Sequence, residues 1–116
     1  MAVNKKSGEA FTSFVLSQDV RHVMWDVVAI HGSSKGEILD NAVAELISLA
    51  EAGEFEPDPQ YRKPGADAKV FNIKLHHSMY RDLRRIAKRH GVSMGALLRE
   101  AVTSYVALCD EGIIKP

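Results

Sequence analysis

Residues 69–109 read KVFNIKLHHSMYRDLRRIAKRHGVSMGALLREAVTSYVALC, and the rhythm of this stretch changes once. From Lys69 to Leu75 it alternates. Phe71, Ile73 and Leu75 point one way; Val70, Asn72 and Lys74 point the other. A period of two describes a strand with one buried face. Beyond the two histidines the period becomes helical. Met79, Leu83, Ile86 and Ala87 form an apolar stripe, with Arg81, Arg84, Arg85, Lys88 and Arg89 around it. Gly91 ends this helix, because glycine enters the left-handed conformation at little cost. Ser93 caps a second helix. Its stripe is Leu97, Leu98, Ala101, Val102, Tyr105 and Val106, and it runs to about Cys109.

The same unit occurs earlier. Shifted by 59 positions, His31-Gly32-Ser33-Ser34-Lys35-Gly36 lies over His90-Gly91-Val92-Ser93-Met94-Gly95. Leu39-Asp40-Asn41-Ala42-Val43 lies over Leu98-Arg99-Glu100-Ala101-Val102, and the match runs without a gap from 12–50 to 71–109. Phe11 to Leu16 is the first strand, with Thr12, Phe14 and Leu16 facing inward. Val20, Met24, Val27 and Val28 make the first helical stripe. Gly32 ends that helix and Ser34 caps the next. Ile38, Leu39, Ala42, Val43, Leu46 and Ile47 make the second stripe.

Each copy is roughly 40 residues, too small to bury a core alone. A lone strand also leaves its backbone groups unpaired. The expected fold is therefore mainly α. Two strand–helix–helix repeats form one intramolecular antiparallel ribbon over four helices. The expected divisions are a flexible basic arm (1–9), the first repeat (10–51), a linker (52–68), the second repeat (69–110) and a tail (111–116). Pro57, Pro59, Pro64 and Gly65 make the linker irregular.

Hydrophobic residues make up 46% of the 116, enough for a sizeable core and against global disorder. Apolar stretches are broken by charges, so none spans a membrane, and no leader is evident. The single Cys109 cannot form an intrachain disulfide, so the chain reads as cytoplasmic. Fifteen bases balance fifteen acids overall, but unevenly along the chain. Residues 8–59 carry ten acids and two bases, a balance of −8; residues 60–109 carry ten bases and three acids, a balance of +7. Such asymmetry points to a second repeat that faces a polyanion, or to halves that attract each other.

With the alternating strand Phe71-Asn72-Ile73-Lys74-Leu75, the helix ending in His90-Gly91 and the Ser93 cap, the chain resembles the ribbon-helix-helix (Arc/MetJ-type) DNA-binding family, twice over. A fused pair in one chain is similar in architecture to accessory proteins of conjugation and T-DNA transfer. The resemblance implies a two-stranded ribbon that enters the major groove of double-stranded DNA. The outward residues of the second strand, Val70, Asn72 and Lys74, would then reach base edges. Asn bonds adenine bidentately and Lys bonds guanine O6 and N7. The corresponding first-strand residues are Phe11, Ser13 and Val15, of which only Ser13 is a strong hydrogen-bonding group. Readout should therefore be asymmetric. The resemblance also places phosphates at the starts of the second helices, at Ser34, Lys35 and Gly36 and at Ser93, Met94 and Gly95, where free N–H groups and the dipole favour anions. Plain capping by the serines is the alternative, and both readings can hold together. Lys5 and Lys6 on the arm are further phosphate candidates.

Two features stay open at this level. The Arg81–Arg89 run is either a solvated face or a surface for flanking DNA or an acidic partner. Trp25, Val23 and Ile30 fall off the main stripe. They are either a patch for another chain or extra core beneath Phe55 or Tyr61. His76 and His77 point different ways, and no helical His pair or Cys pair suggests a metal. No cofactor and no catalytic constellation is expected, so the chain does not read as an enzyme. The expected function is a sequence-specific DNA-binding transcriptional regulator, such as a repressor on a plasmid or phage-like element. The alternatives are a relaxosome accessory protein that binds an origin of transfer, or an antitoxin-type interaction module. The expected partners are double-stranded DNA, further copies of the chain on adjacent sites, and a relaxase or other protein; no membrane is expected.

Overall fold

The strands that alternation predicts pair with each other. In the computed structural model, which describes residues 3, 4 and 9–116 with the side chains of 3, 4 and 9 excepted, β2 (Glu9–Leu16) runs antiparallel to β3 (Lys69–His76). Each strand is followed by two helices: α1 (Gln18–His31) and α2 (Lys35–Glu51), then α3 (His77–His90) and α4 (Met94–Asp110). Every helix boundary in the second unit falls 59 residues after its counterpart. A two-residue strand, β1 (Val3–Asn4), pairs with Ala10 and Glu9, so the sheet has three strands in the order β1-β2-β3. Sequence alternation cannot reveal so short a pairing. It forms because the outer edge of β2 still offers unpaired backbone groups. Lys5 and Lys6 lie outside the described residues.

The register fixes the symmetry. Ser13 is opposite Asn72, and these two are also equivalent in the repeat. A pseudo-twofold axis therefore passes through this pair. Phe11 is opposite Lys74, and Val15 is opposite Val70. The inner face carries Ala10, Phe14, Leu16, Ile73 and Leu75, all buried, with Thr12 and Phe71 half-buried.

The helices end as their caps dictate. The Ser34 hydroxyl accepts from the Glu37 N–H, and the Ser93 hydroxyl from the Ala96 N–H, at 3.1 and 3.0 Å. Each such cap is worth about 1 kcal/mol. Gly32 and Gly91 take φ of 68° and 66°, the left-handed values a side chain would resist. The first helix of each unit is capped by Ser17 and by His76 respectively, residues 59 apart. His76 does this through Nδ1, which accepts from the Ser78 N–H.

The two units interlock. α4 packs on β2, α1 on α4, and α2 on α3 and α4, so each copy buries its apolar face against the other. One continuous core results. It holds every predicted residue of the α2 and α4 stripes, together with Ala50 and Cys109. In α1, Met24 and Val27 are buried, while Val20, Val23 and Val28 pack at its edge. Among the described residues no single helix is long and apolar enough to cross a membrane.

The linker, read as irregular, contains a 3-10 turn at Pro59–Arg62. Asp58 caps it through its carboxylate, which accepts from the Gln60 N–H. The turn is tied to α4 from both sides. The Arg99 guanidinium donates to the Tyr61 carbonyl at 2.6 and 3.0 Å, and Glu100 Oε1 accepts from the Asp58 N–H at 2.9 Å. Arg21 closes the far end, donating to the carbonyls of Leu16 and Asp67.

Candidate functional site

The outer face of the ribbon is a three-rung ladder. Val15 and Val70 form one rung, Ser13 and Asn72 the central one, and Phe11 and Lys74 the last. All are exposed except Val15, which is half-buried; Val70 keeps 67% of its surface accessible. Among the described residues no helix covers this face, although apolar strand residues normally seek cover. The ladder is polar in the middle, apolar at one end, and mixed at the other. Lys74 Nζ sits 5.1 Å from the centroid of the Phe11 ring. That cation–π contact holds the ammonium beside the ribbon, and such contacts are worth about 0.5–1 kcal/mol at exposed sites.

The six outward strand residues expected from alternation thus share one surface. The two pseudo-symmetric halves differ in chemistry, with Asn72 and Lys74 on β3 and Ser13 on β2 as hydrogen-bonding groups.

α2 and α4 pack against the ribbon from its inner side. α2 packs against β3, and Lys35 Nζ lies 5.5 Å from the centroid of the Phe71 ring. The repeat puts Met94, half-buried, in the corresponding place at the start of α4, which packs on β2. The α2 start is therefore cationic where the α4 start is apolar. Ser34, Lys35, Gly36 and Ser93 are exposed. A Cβ added at Gly36 or Gly95 would meet only the preceding cap hydroxyl, at 3.9 Å in each case. Nothing inside the chain requires glycine at either place, and neither adopts positive φ. A small residue there leaves the backbone N–H groups open to approach from outside.

The basic run on α3 is a surface stripe. Arg81, Arg84, Arg85, Lys88 and Arg89 are all exposed, and Arg85 pairs with Asp82 at 3.2 Å. Arg99, by contrast, is only 8% exposed and serves the linker, so it adds no charge to this face. Burial lowers its pKa from the ordinary arginine value, as expected for a desolvated cation. Sequence reasoning missed this anchor. The one available signal is that Arg99 falls within the apolar face of α4, beside Leu98.

Opposite in chemistry is a cleft of about 190 Å³ between α2 and α4. Its walls include the equivalent pairs Ala42 and Ala101, Leu46 and Tyr105, and Leu49 and Leu108, so it too lies on the pseudo-twofold axis. Glu45, Glu54, Glu56 and Glu100 give it an acidic rim. Burial raises the pKa of Glu100; the Asp58 N–H it accepts from opposes that shift, while the Asp58 carboxylate adds to it. Among the described residues no group of three or more His, Cys, Asp or Glu side chains is arranged to hold a metal ion.

Comparison of the chain with family models, with curated proteins and with solved structures finds no match in any of the three.

Proposed function

We propose that this chain is a tandem ribbon-helix-helix protein that binds double-stranded DNA sequence-specifically and acts as a transcriptional regulator. One observation carries the reading. An uncovered antiparallel ribbon presents Ser13, Asn72 and Lys74 outward, with Lys35 and two capped helix starts on the helices packed against its inner side. Among the described residues β1 pairs only with Glu9 and Ala10, so at its three outward rungs the sheet is a two-stranded ribbon, a width that enters the major groove, where base edges carry a unique donor and acceptor pattern. Asn72 and Lys74 read bases, helped by Ser13. Phe11, Val15 and Val70 contact thymine methyls and sugars. The N–H groups behind Ser34 and Ser93, with Lys35, hold a phosphate on each flank.

The two strands differ at every equivalent outward position, so the reading predicts a site that is not a palindrome. Footprinting on the DNA around the chain's own gene tests the proposal. Protection of one discrete, non-palindromic site beside a promoter is the expected result. Absence of any protected site, with no preference over random duplex, refutes it. A footprint confined to an origin of transfer would replace the regulatory role with the DNA-transfer accessory role, leaving the groove-reading mechanism unchanged.

A further inference from the structure

The pseudo-twofold symmetry breaks on one face of the two long helices. On α4, Ala96 and Arg99 are buried, and Glu100 and Thr103 are half-buried. The linker is seated there, its Tyr61 carbonyl held by Arg99 and its Asp58 N–H by Glu100. The same four places on α2 are Glu37, Asp40, Asn41 and Ala44, and all four are exposed. The other wall of the linker's seat is the start of α1, where Asp19 and Val20 stand with Arg99 and Thr103. The repeat puts Ser78 and Met79 in those places on α3, with Met79 half-buried at the edge of the core. The approach to the two faces is shared as well. Phe55 packs on the core beyond α2, and Ile114, 59 residues later, does so beyond α4. Ile114 and Lys115 come beside Asn41, Ala44 and Ser48, and Glu37 and Asp40 stay open.

We infer that this face of α2 is a second seat for an extended chain, and that it takes a basic segment of another protein. The α4 face shows how such a segment is held: a guanidinium grips a backbone carbonyl and a carboxylate grips a backbone N–H. The α2 face inverts the first contact. Where Arg99 donates, Asp40 accepts, so it suits N–H groups and the head of a lysine or arginine. Glu37, one turn earlier, adds to the same negative field. Among the described residues neither carboxylate forms an ion pair. Partial desolvation raises the Asp40 carboxyl above its ordinary value, and an incoming cation would offset that cost. Ala44 is smaller than Thr103 and Met79 is adaptable, which leaves room for an apolar side chain such as Tyr61 on α4. The two carboxylates repel DNA. The chain's own basic stretch, Arg62-Lys63, is tied to α4 through Tyr61, so a second protein supplies the segment. A short segment buries well under the roughly 800 Å² per partner of a stable complex, which sets Kd at about 10 μM to 1 mM. The inference stands apart from the DNA-binding reading, and its test contains no DNA.

Random peptides of nine residues, the span of the linker from Phe55 to Lys63, supply the probe when displayed on phage and selected on the full chain. The expected pool converges on sequences that carry Lys or Arg. Fluorescence anisotropy of the leading peptide, synthesised with a dye, then locates the seat. Asp40→Asn weakens its binding at least about tenfold, and Asp40→Lys abolishes it. Exchanging the peptide's base for Glu restores binding to the Asp40→Lys chain. Glu56→Lys, on the acidic rim of the α2–α4 cleft, changes affinity by less than about twofold, because screening weakens a distant surface charge. Backbone amide resonances of Glu37, Asp40 and Ala44 move during the titration. Circular dichroism spectra of the three variants match the parent's, since each substituted residue is exposed. A pool with no basic consensus, a leading peptide that binds the Asp40→Asn chain as it binds the parent, or a failed charge exchange overturns the inference. So does an equal loss in Glu56→Lys, or resonance shifts confined to other faces. A mass that grows with concentration in the parent and not in Asp40→Lys would give the seat to a second copy, and overturns it too.

Discussion

Replacing Asn72 by Ala isolates sequence reading from every other contribution to binding. Asn72 lies at the centre of the exposed ladder, opposite Ser13 and on the pseudo-twofold axis. Its side chain is exposed and takes no part in the core, so truncation should change stability by no more than about 0.5 kcal/mol. A bidentate contact to adenine is worth about 1–3 kcal/mol of discrimination. At about 1.4 kcal/mol per tenfold, Kd for the specific site should rise about 5- to 150-fold. Asn72 is neutral and neutralises no phosphate. Affinity for scrambled duplex should therefore hold within about twofold, and the salt slope should not move. Fluorescence anisotropy on a duplex selected from a random pool, and on its scrambled counterpart, at two salt concentrations, measures all three quantities. Lys74→Ala is the contrasting control, because it removes a charge and should weaken both duplexes. Equal losses on selected and scrambled DNA, or none on either, would refute base reading by Asn72 and with it the central rung's role.

Four further outcomes follow from the same geometry. Lys35→Ala should lower the slope of log affinity against log salt by about one unit, since one fewer phosphate is neutralised; an unchanged slope means the ammonium stays on Phe71. Gly95→Leu should weaken binding on all sequences alike while the melting temperature holds or rises, because the site has room for a Cβ and glycine is a poor helix former; unchanged DNA affinity would reduce the α4 start to an ordinary cap. Arg99→Leu should lower stability by about 1.5–3 kcal/mol in denaturant titration and speed proteolysis of the linker, because the Tyr61 carbonyl loses a charged donor; an unchanged midpoint would show that the anchor contributes nothing. Glu100 has a folded pKa raised above 4.5, so its contribution is fully present below that value and lost as pH rises through the raised one. Glu100→Gln keeps an acceptor for the Asp58 N–H without the buried charge; the stability of the variant relative to the parent, from unfolding at pH 4 and pH 7, should shift in the variant's favour as pH rises, and a difference that does not change with pH would contradict this sign.

The local parts of this fold were legible because they depend on neighbours in sequence. Alternation at Phe71, Ile73 and Leu75, the glycines at 32 and 91, and the serines at 34 and 93 each act over a few residues. The 59-residue repeat then supplied a partner for each strand. Even so, His76 went unrecognised as a cap, although its equivalence to Ser17 was already present in the repeat. Histidine is an uncommon choice there, and only the geometry of Nδ1 over the Ser78 N–H identifies it.

What the amino-acid sequence determined by itself was therefore the unit, its duplication, and which strand residues face outward. Periods of two and 3.6 assign faces without knowledge of the partner surface. The tertiary structure decided the matters that depend on distant contacts. It put Ser13 against Asn72, buried Arg99 beneath the linker, and drew Val23 to the edge of the core while leaving Trp25 and Ile30 in solvent. Burial off the main stripe is set by what another segment happens to cover. Here the linker turns toward α4 and His90, held by Arg99 and Glu100 and by Phe55, and so leaves the α1 face open.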